Sequence, residues 1–347
     1  MPAAIVLALV ASIWSFAQVE PDDPLRNPNE THLGDIRQLT FGGTNAEAYF
    51  SSTGSQLIFQ STREPYACDQ IFTMALDGSK QTMVSTGKGR TTCGFYLPGD
   101  SQLVYASTHL WGEACPPQPD KSKGYVWGVF GAYDIFVAHT DGSQPRPLFA
   151  TKGYDAEATV SPLGDRIVFT SSKDGDLELY TMNLDGSDVR RVTNTVGYDG
   201  GAFFSWDGSK IVFRGDHPET PEKLAEYKAL LAEELVKPGH MEIFICDSDG
   251  GNLRQLTNNG AANFAPFFHP DNKRIIFSSN MKNPGGRFFD LYMMNVDGSG
   301  LKQITYGDHF NSFPMFTKDG KKLVFVSNRN ATERYEFNVF LADWVED

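Results

Sequence analysis

Five places in this 347-residue sequence set polar side chains just ahead of an apolar run. They hold Asn45 and Glu47, Asp155 and Glu157, Asp199, Asn263, and His309 with Asn311. Carboxylates, amides and an imidazole gathered round one axis offer the oxygen and nitrogen ligands that divalent cations take. The same groups can hold a cationic peptide terminus, or line a water-filled channel with no ligand at all. Arg90, followed by Thr91 and Thr92, adds a cation suited to an anionic group on a ligand. Cys93 lies near enough in sequence to His109 to suggest a thiol nucleophile, but no third residue is identifiable to orient the pair. The sequence contains no GxSxG, no HExxH and no phosphate-binding glycine loop, so no local signature of catalysis supports these residues.

What must position them is a repeat. The runs QLIF (56–59), QLVY (102–105), RIVF (166–169), KIVF (210–213), RIIF (274–277) and KLVF (322–325) start 46, 64, 44, 64 and 48 residues apart. Each follows a shorter strand and a turn such as Trp206-Asp207-Gly208. Each precedes a third strand: QIFTMAL, DIFVAHT, ELYTMNL, EIFICDS, DLYMMNV or NVFLADW. Five copies then turn through Asp-Gly, which accepts the positive φ of a tight hairpin, into a fourth strand such as LRQLT (253–257). A period of this length built from short strands predicts the blades of an all-β propeller. The sixth copy stops after its third strand, while IRQLT (36–40) precedes the first. The expectation is therefore six four-stranded blades, closed by strand 36–40 joining the last one, which removes exposed strand edges.

The xLT…(F/S)PDG…I-(V/I)-F-x-S…(I/L)-Y-x-M-N-x-DG pattern, over residues 36 to 345, resembles the TolB-type β-propeller repeat. The resemblance implies a periplasmic or secreted protein. It also implies a non-enzymatic role like that of the family's namesake, a hub that binds other envelope proteins. With only about eighteen residues between the expected cleavage site and the first strand, a counterpart of that namesake's additional N-terminal α/β domain is not expected. Propellers of prolyl oligopeptidase-like enzymes are similar too, but their catalysis belongs to an α/β-hydrolase domain, which is not expected from this repeat. Lyases acting on oligogalacturonates also resemble this repeat and would need clustered metal-binding histidines; His109, His217 and His309 fall in different blades.

In a propeller, loops leading into each inner strand share a face with loops between second and third strands. The hairpin turns share the other face, which here reads as short Gly, Asp, Pro and Ser turns with little chemistry. Both long insertions, 109–133 and 215–240, belong to the loop-rich face, where binding groups concentrate on a rigid scaffold. The later one predicts a helix near 220–237, capped by Thr220, with Pro221 at its first position and Pro238-Gly239 as its stop. Leu224, Tyr227, Leu230, Leu231 and Leu235 form its apolar stripe, either packed on the propeller or left to dock a partner. In the earlier one, Trp111, Tyr125, Trp127 and Phe130 form either a platform for a peptide or sugar ring, or a loop that packs on itself. One disulfide is expected among Cys68, Cys93 and Cys115, with Cys246 reduced and buried.

Residues 3–17 form an uncharged apolar run ending in Ser15-Phe16-Ala17. It has the length of a signal-peptide core, with residues 1–17 removed and 18–35 a linker to the propeller at 36–347; a retained anchor is the competing reading. After cleavage no membrane span is expected. The formal net charge of −13 disfavours nucleic acid and anionic membranes as partners. The sequence thus points to an exported monomer that binds an envelope or secreted protein, a peptide or a glycan, without a required cofactor. The alternative is a metal-dependent lyase or hydrolase acting on carbohydrate at the channel mouth, with a divalent cation.

Overall fold

The repeated runs become the second strands of six antiparallel sheets, each with four strands, in a computed structural model that describes residues 24–346. The inner strands are Thr44–Phe50, Thr91–Tyr96, Asp155–Val160, Tyr198–Phe204, Asn263–Phe268 and Asn311–Phe316. They define blades 1 to 6. The second strands read apolar almost throughout because both of their faces are covered. Leu57, Ile58 and Phe59 are fully buried, as are Leu323, Val324 and Phe325. Fully buried aromatic rings, among them Phe169, Phe213, Phe268 and Phe277, fill the space between blades. The five Asp-Gly turns are built alike. In the first, the Asp77 carboxylate accepts from the backbone N–H of Ser79 at 2.9 Å and from its hydroxyl at 2.5 Å. Asp185 and Asp297 do the same with Ser187 and Ser299. This local closure favours the turn over continued strand.

Blade 6 is completed as the repeat predicts, by an N-terminal strand paired antiparallel with Asn338–Trp344. That strand spans Leu33–Gln38 rather than 36–40. The segment before it is fastened as well. Arg329 forms a two-pronged ion pair with Glu30, both distances being 2.9 Å, and also donates to the carbonyl of Leu25. His32 stacks on Trp344 with ring centroids 5.0 Å apart. The apolar run of residues 1–17 and its cleavage site lie outside the described residues.

The helix is shorter than the sequence suggested. It runs from Pro221 to Leu231, with the Thr220 hydroxyl accepting from the N–H of Lys223. The chain then turns through Glu234 at φ 57°, and Leu235–Val236 pairs with Trp127–Gly128 of the other insertion. Tyr227, Leu230 and Leu235 are buried, so the apolar stripe packs on the protein and is not left for a partner. The two insertions thus hold each other. Val129 N–H donates to the Glu234 carbonyl at 2.8 Å, and Gly131 N–H to the Glu234 carboxylate at 2.7 Å. Cys68 and Cys115 form the disulfide, tying the earlier insertion to the second-to-third-strand loop of blade 1; Cys246 is free and buried. Among the described residues, no helix is long and apolar enough to cross a membrane.

Candidate functional site

Each inner strand breaks its pairing with the second strand at one place, and the break is the same six times. The register shifts between Ala46 and Tyr49, Thr92 and Phe95, Ala156 and Thr159, Gly200 and Phe203, Phe264 and Phe267, and Ser312 and Met315. Within each bulge one residue takes positive φ, between 47° and 59°: Glu47, Cys93, Glu157, Gly201, Ala265 and Phe313. The left-handed region costs a non-glycine residue roughly 1–2 kcal/mol, so five blades store strain at this position. Together the six residues line a central cavity of about 20 Å³, room for roughly one water molecule.

Arg214, on the second strand of blade 4, fills the place that a side chain at 201 would take. A Cβ on Gly201 would sit 2.1 Å from a guanidinium nitrogen. Arg214 donates to the Glu157 carboxylate and, at 2.8 Å, to the Tyr198 hydroxyl, which in turn donates to Glu157. Glu157 also accepts from Gly201 N–H at 2.9 Å and from Thr170 at 2.8 Å. The guanidinium lies 5.3 Å from the Trp127 ring and 5.7 Å from that of Tyr198. Across the cavity, burial pushes the Glu47 carboxyl up to about 7, against the opposing hydrogen bond from the Cys93 thiol. Burial, reinforced by Glu47 and Glu157, also holds Cys93 well above the usual thiol range. Burial thus favours the thiol form of Cys93, which donates to Glu47, while the His109 ring bonds Ser107.

The mouth residues expected from the sequence divide sharply. Glu47 and Glu157 reach the axis. Asn45, Asp155, Asp199, Asn263 and Asn311, at the heads of five of the six inner strands, turn into the seams between blades and do not line the cavity. Each N–H bonds a carbonyl of the preceding blade: those of Phe337, Tyr133, Leu177, Met241 and Phe289. Their side chains bond both within the blade and across the seam. Asp155 accepts from Ser171 at 2.5 Å, Asn311 from Ser327 at 2.8 Å, and Asn263 donates to the Met241 carbonyl at 2.8 Å. Burial raises Asp155 to about 6. In blade 4 Gly215 replaces the serine, and His217 reaches Asp199 at 2.8 Å instead. Burial opposes protonation of His217, but Asp199 outweighs it and raises the imidazole pKa.

His109 packs on Phe136 and bonds Ser107, and burial lowers its pKa. His309 is lowered by burial and by Arg329. Arg90 lies 3.6 Å from Asp69. Among the described residues, no group of three or more His, Cys, Asp or Glu side chains is placed to hold a metal ion. The aromatic loop does not form one platform. Trp127 turns inward onto Phe264, 5.3 Å between centroids, while Tyr125 meets its edge and stays 72% exposed. Trp111 stands apart, its indole N–H on Asp134 at 3.2 Å.

Two features went unread in the sequence. Arg214 occupies the place held by Gln60, Ala106, Thr170, Ser278 and Val326 in the other second strands, so a lone cation in that column was the available signal. The second is below the polar ring, where Tyr49, Phe95, Phe203 and Phe267 meet in successive ring contacts at 5.1–6.2 Å. This septum divides the axis. Beyond it a cavity of about 880 Å³ opens among the hairpin turns, on the face that the sequence had marked as poor in chemistry.

Residues 228–344 match the family model of the TolB beta propeller domain. No curated protein matches the chain significantly. Among solved structures, a putative TolB from Agrobacterium tumefaciens is 14% identical with a TM-score of 0.58, covering 90% of this chain and 97% of that one. TolB from Acinetobacter baumannii is 18% identical with a TM-score of 0.54; the likeness covers 87% of this chain and 64% of that one. An oligogalacturonate lyase in complex with manganese is 13% identical, with a TM-score of 0.51 and coverage of 91% and 99%. The chain is a TolB-like six-bladed propeller.

Proposed function

We propose that the protein is an exported, monomeric and non-enzymatic binding module whose loop-rich face engages an envelope or secreted protein, peptide or glycan. One observation carries this reading. Phe41, Trp111, Tyr125, Phe288 and Tyr335 are 49–78% exposed, and all five stand on loops of that face. Large aromatics are enriched where proteins meet partners. The large apolar side chains exposed on the hairpin face are aliphatic instead: Leu163, Val189, Leu253, Leu301 and Val345. Export is supported by the signal-like run of residues 1–17 and by the Cys68–Cys115 bridge, which suits an oxidising compartment.

The test is retention of exported proteins on the immobilised chain, compared with a Trp111→Ser, Tyr125→Ser, Tyr335→Ser variant. Specific retention lost in the variant supports the reading, and retention identical in both contradicts it. A metal-dependent carbohydrate-active enzyme is the second reading, drawn from the lyase fold neighbour. It predicts about one tightly held divalent ion per chain in protein purified without chelator or His tag. That ion would be lost on Glu157→Gln or His309→Ala.

A further inference from the structure

We propose that the 880 Å³ cavity on the hairpin face binds an apolar molecule carrying a carboxylate, of the fatty-acid class. Its volume falls within the range of about 300–1,000 Å³ found for small-molecule sites. The floor is the underside of the septum, with Phe50, Phe95, Phe203, Phe267 and Met315. The wall is preformed. Trp206 is fixed by its indole N–H on the Phe268 carbonyl at 3.0 Å, by its backbone N–H on Asn272 at 2.8 Å, and by edge contact with Phe267. A site built this way offers a long apolar body many contacts and few hydrogen bonds.

The rim supplies the charge. Lys318, Lys321 and Lys322 all line the opening. Lys322 is paired with Asp343 at 2.5 Å, whereas Lys318 and Lys321 make no ion pair among the described residues. Two carboxylates share the rim: Asp343 pairs with Lys322, and Asp319 accepts from Thr317 at 2.6 Å and from Lys321 N–H at 3.1 Å and feels the Lys321 charge. Three ammonium groups against two carboxylates leave the rim of an apolar well net positive, which favours a ligand whose head is an anion.

Dodecanoate is the probe, followed by titration calorimetry and by tryptophan fluorescence on the whole chain. Saturable binding is expected, with dodecanol at least tenfold weaker. Lys318→Glu with Lys321→Glu lowers dodecanoate affinity at least tenfold and leaves dodecanol unchanged. Leu163→Asp, at a rim position 60% exposed and so harmless to folding, weakens both ligands. Trp206→Phe removes the fluorescence change while heat is still released. The proposal is overturned if dodecanoate shows no saturable heat, if the charge reversals leave its affinity unchanged, or if Leu163→Asp has no effect. It is independent of the partner-binding face, so the Trp111, Tyr125 and Tyr335 serine variant binds dodecanoate normally; loss of binding there would place the ligand elsewhere.

Discussion

Arg214 and Glu157 join the neighbouring blades 4 and 3 beside the axis, each with only 11% of its side chain exposed. The pair lies between Trp127 and Phe203, with little of either charge open to solvent. Its attraction offsets two desolvation costs, and removing one partner leaves the other uncompensated. Glu157→Ala is expected to destabilise by about 3 kcal/mol. The paired change Glu157→Met with Arg214→Met should recover most of that loss. Chemical denaturation of the three proteins decides it. A single variant as stable as the parent would mean that water already solvates the guanidinium.

Glu47 faces the same pair from blade 1, and its titration gives stability a particular pH dependence. Its carboxyl rises from an ordinary 4.5 to about 7 through burial. Between those values the unfolded chain is ionised while the folded one still holds its proton. The unfolded state therefore binds fewer protons, and stability falls as pH rises. The loss is complete above pH 7 and amounts to at most roughly 3 kcal/mol. Glu47→Gln removes this component. The stability of the parent relative to the variant should fall from pH 4.5 to 7 and stay constant from about a unit beyond. A difference that does not change with pH places the Glu47 carboxyl in contact with bulk solvent.

The propeller was legible in the sequence because its marks are local and written six times. A run such as KIVF between two turns fixes one strand, and five Asp-Gly turns fix hairpins through their own hydrogen bonds. The axial site was not legible, for a geometric reason. Asn45 and Glu47 share the lead-in to one inner strand, and strand alternation would put both on one side of the sheet. The positive φ at Glu47 breaks that alternation, sending Asn45 into the seam and Glu47 to the axis. Nothing in the types of Glu47, Cys93, Glu157, Ala265 or Phe313 announces a left-handed conformation; Gly201 alone does. The large cavity escaped for another reason. Its floor is made of core aromatics from five inner strands, whose meeting across the axis depends on how the blades close.

Cys68 and Cys115 are 47 residues apart in sequence. Closing a loop of that length in the unfolded chain contributes about 4 kcal/mol on the chain-entropy model. A Cys68→Ser, Cys115→Ser variant should lose up to that much. Its first consequence should be faster proteolysis within 109–133, the loop that the bridge tethers. Cys93 and Cys246, both raised by burial, should resist iodoacetamide in the folded protein at pH 8. Mass spectrometry of alkylated native protein checks both points. Rapid labelling of Cys93 would show that the axial cavity opens readily.

Closure of the ring rests on more than the strand Leu33–Gln38. Glu30 and Arg329 are 1% and 3% exposed at the side chain, and Arg329 also reaches Asn311 at the seam of blades 5 and 6. The N-terminal segment is thereby locked to the same blade that its strand completes. Arg329→Met leaves the Glu30 carboxylate buried without its partner and should cost about 3–5 kcal/mol. If the lock acts on closure, the damage is directional: proteolysis should release the segment before the first blade while the inner strands stay protected. Glu30→Gln combined with Arg329→Met should restore most of the stability. Hydrogen exchange resolved along the chain measures this. Uniform loss of protection across all six blades would show that the ring unfolds as one unit, with no separate opening at its seam.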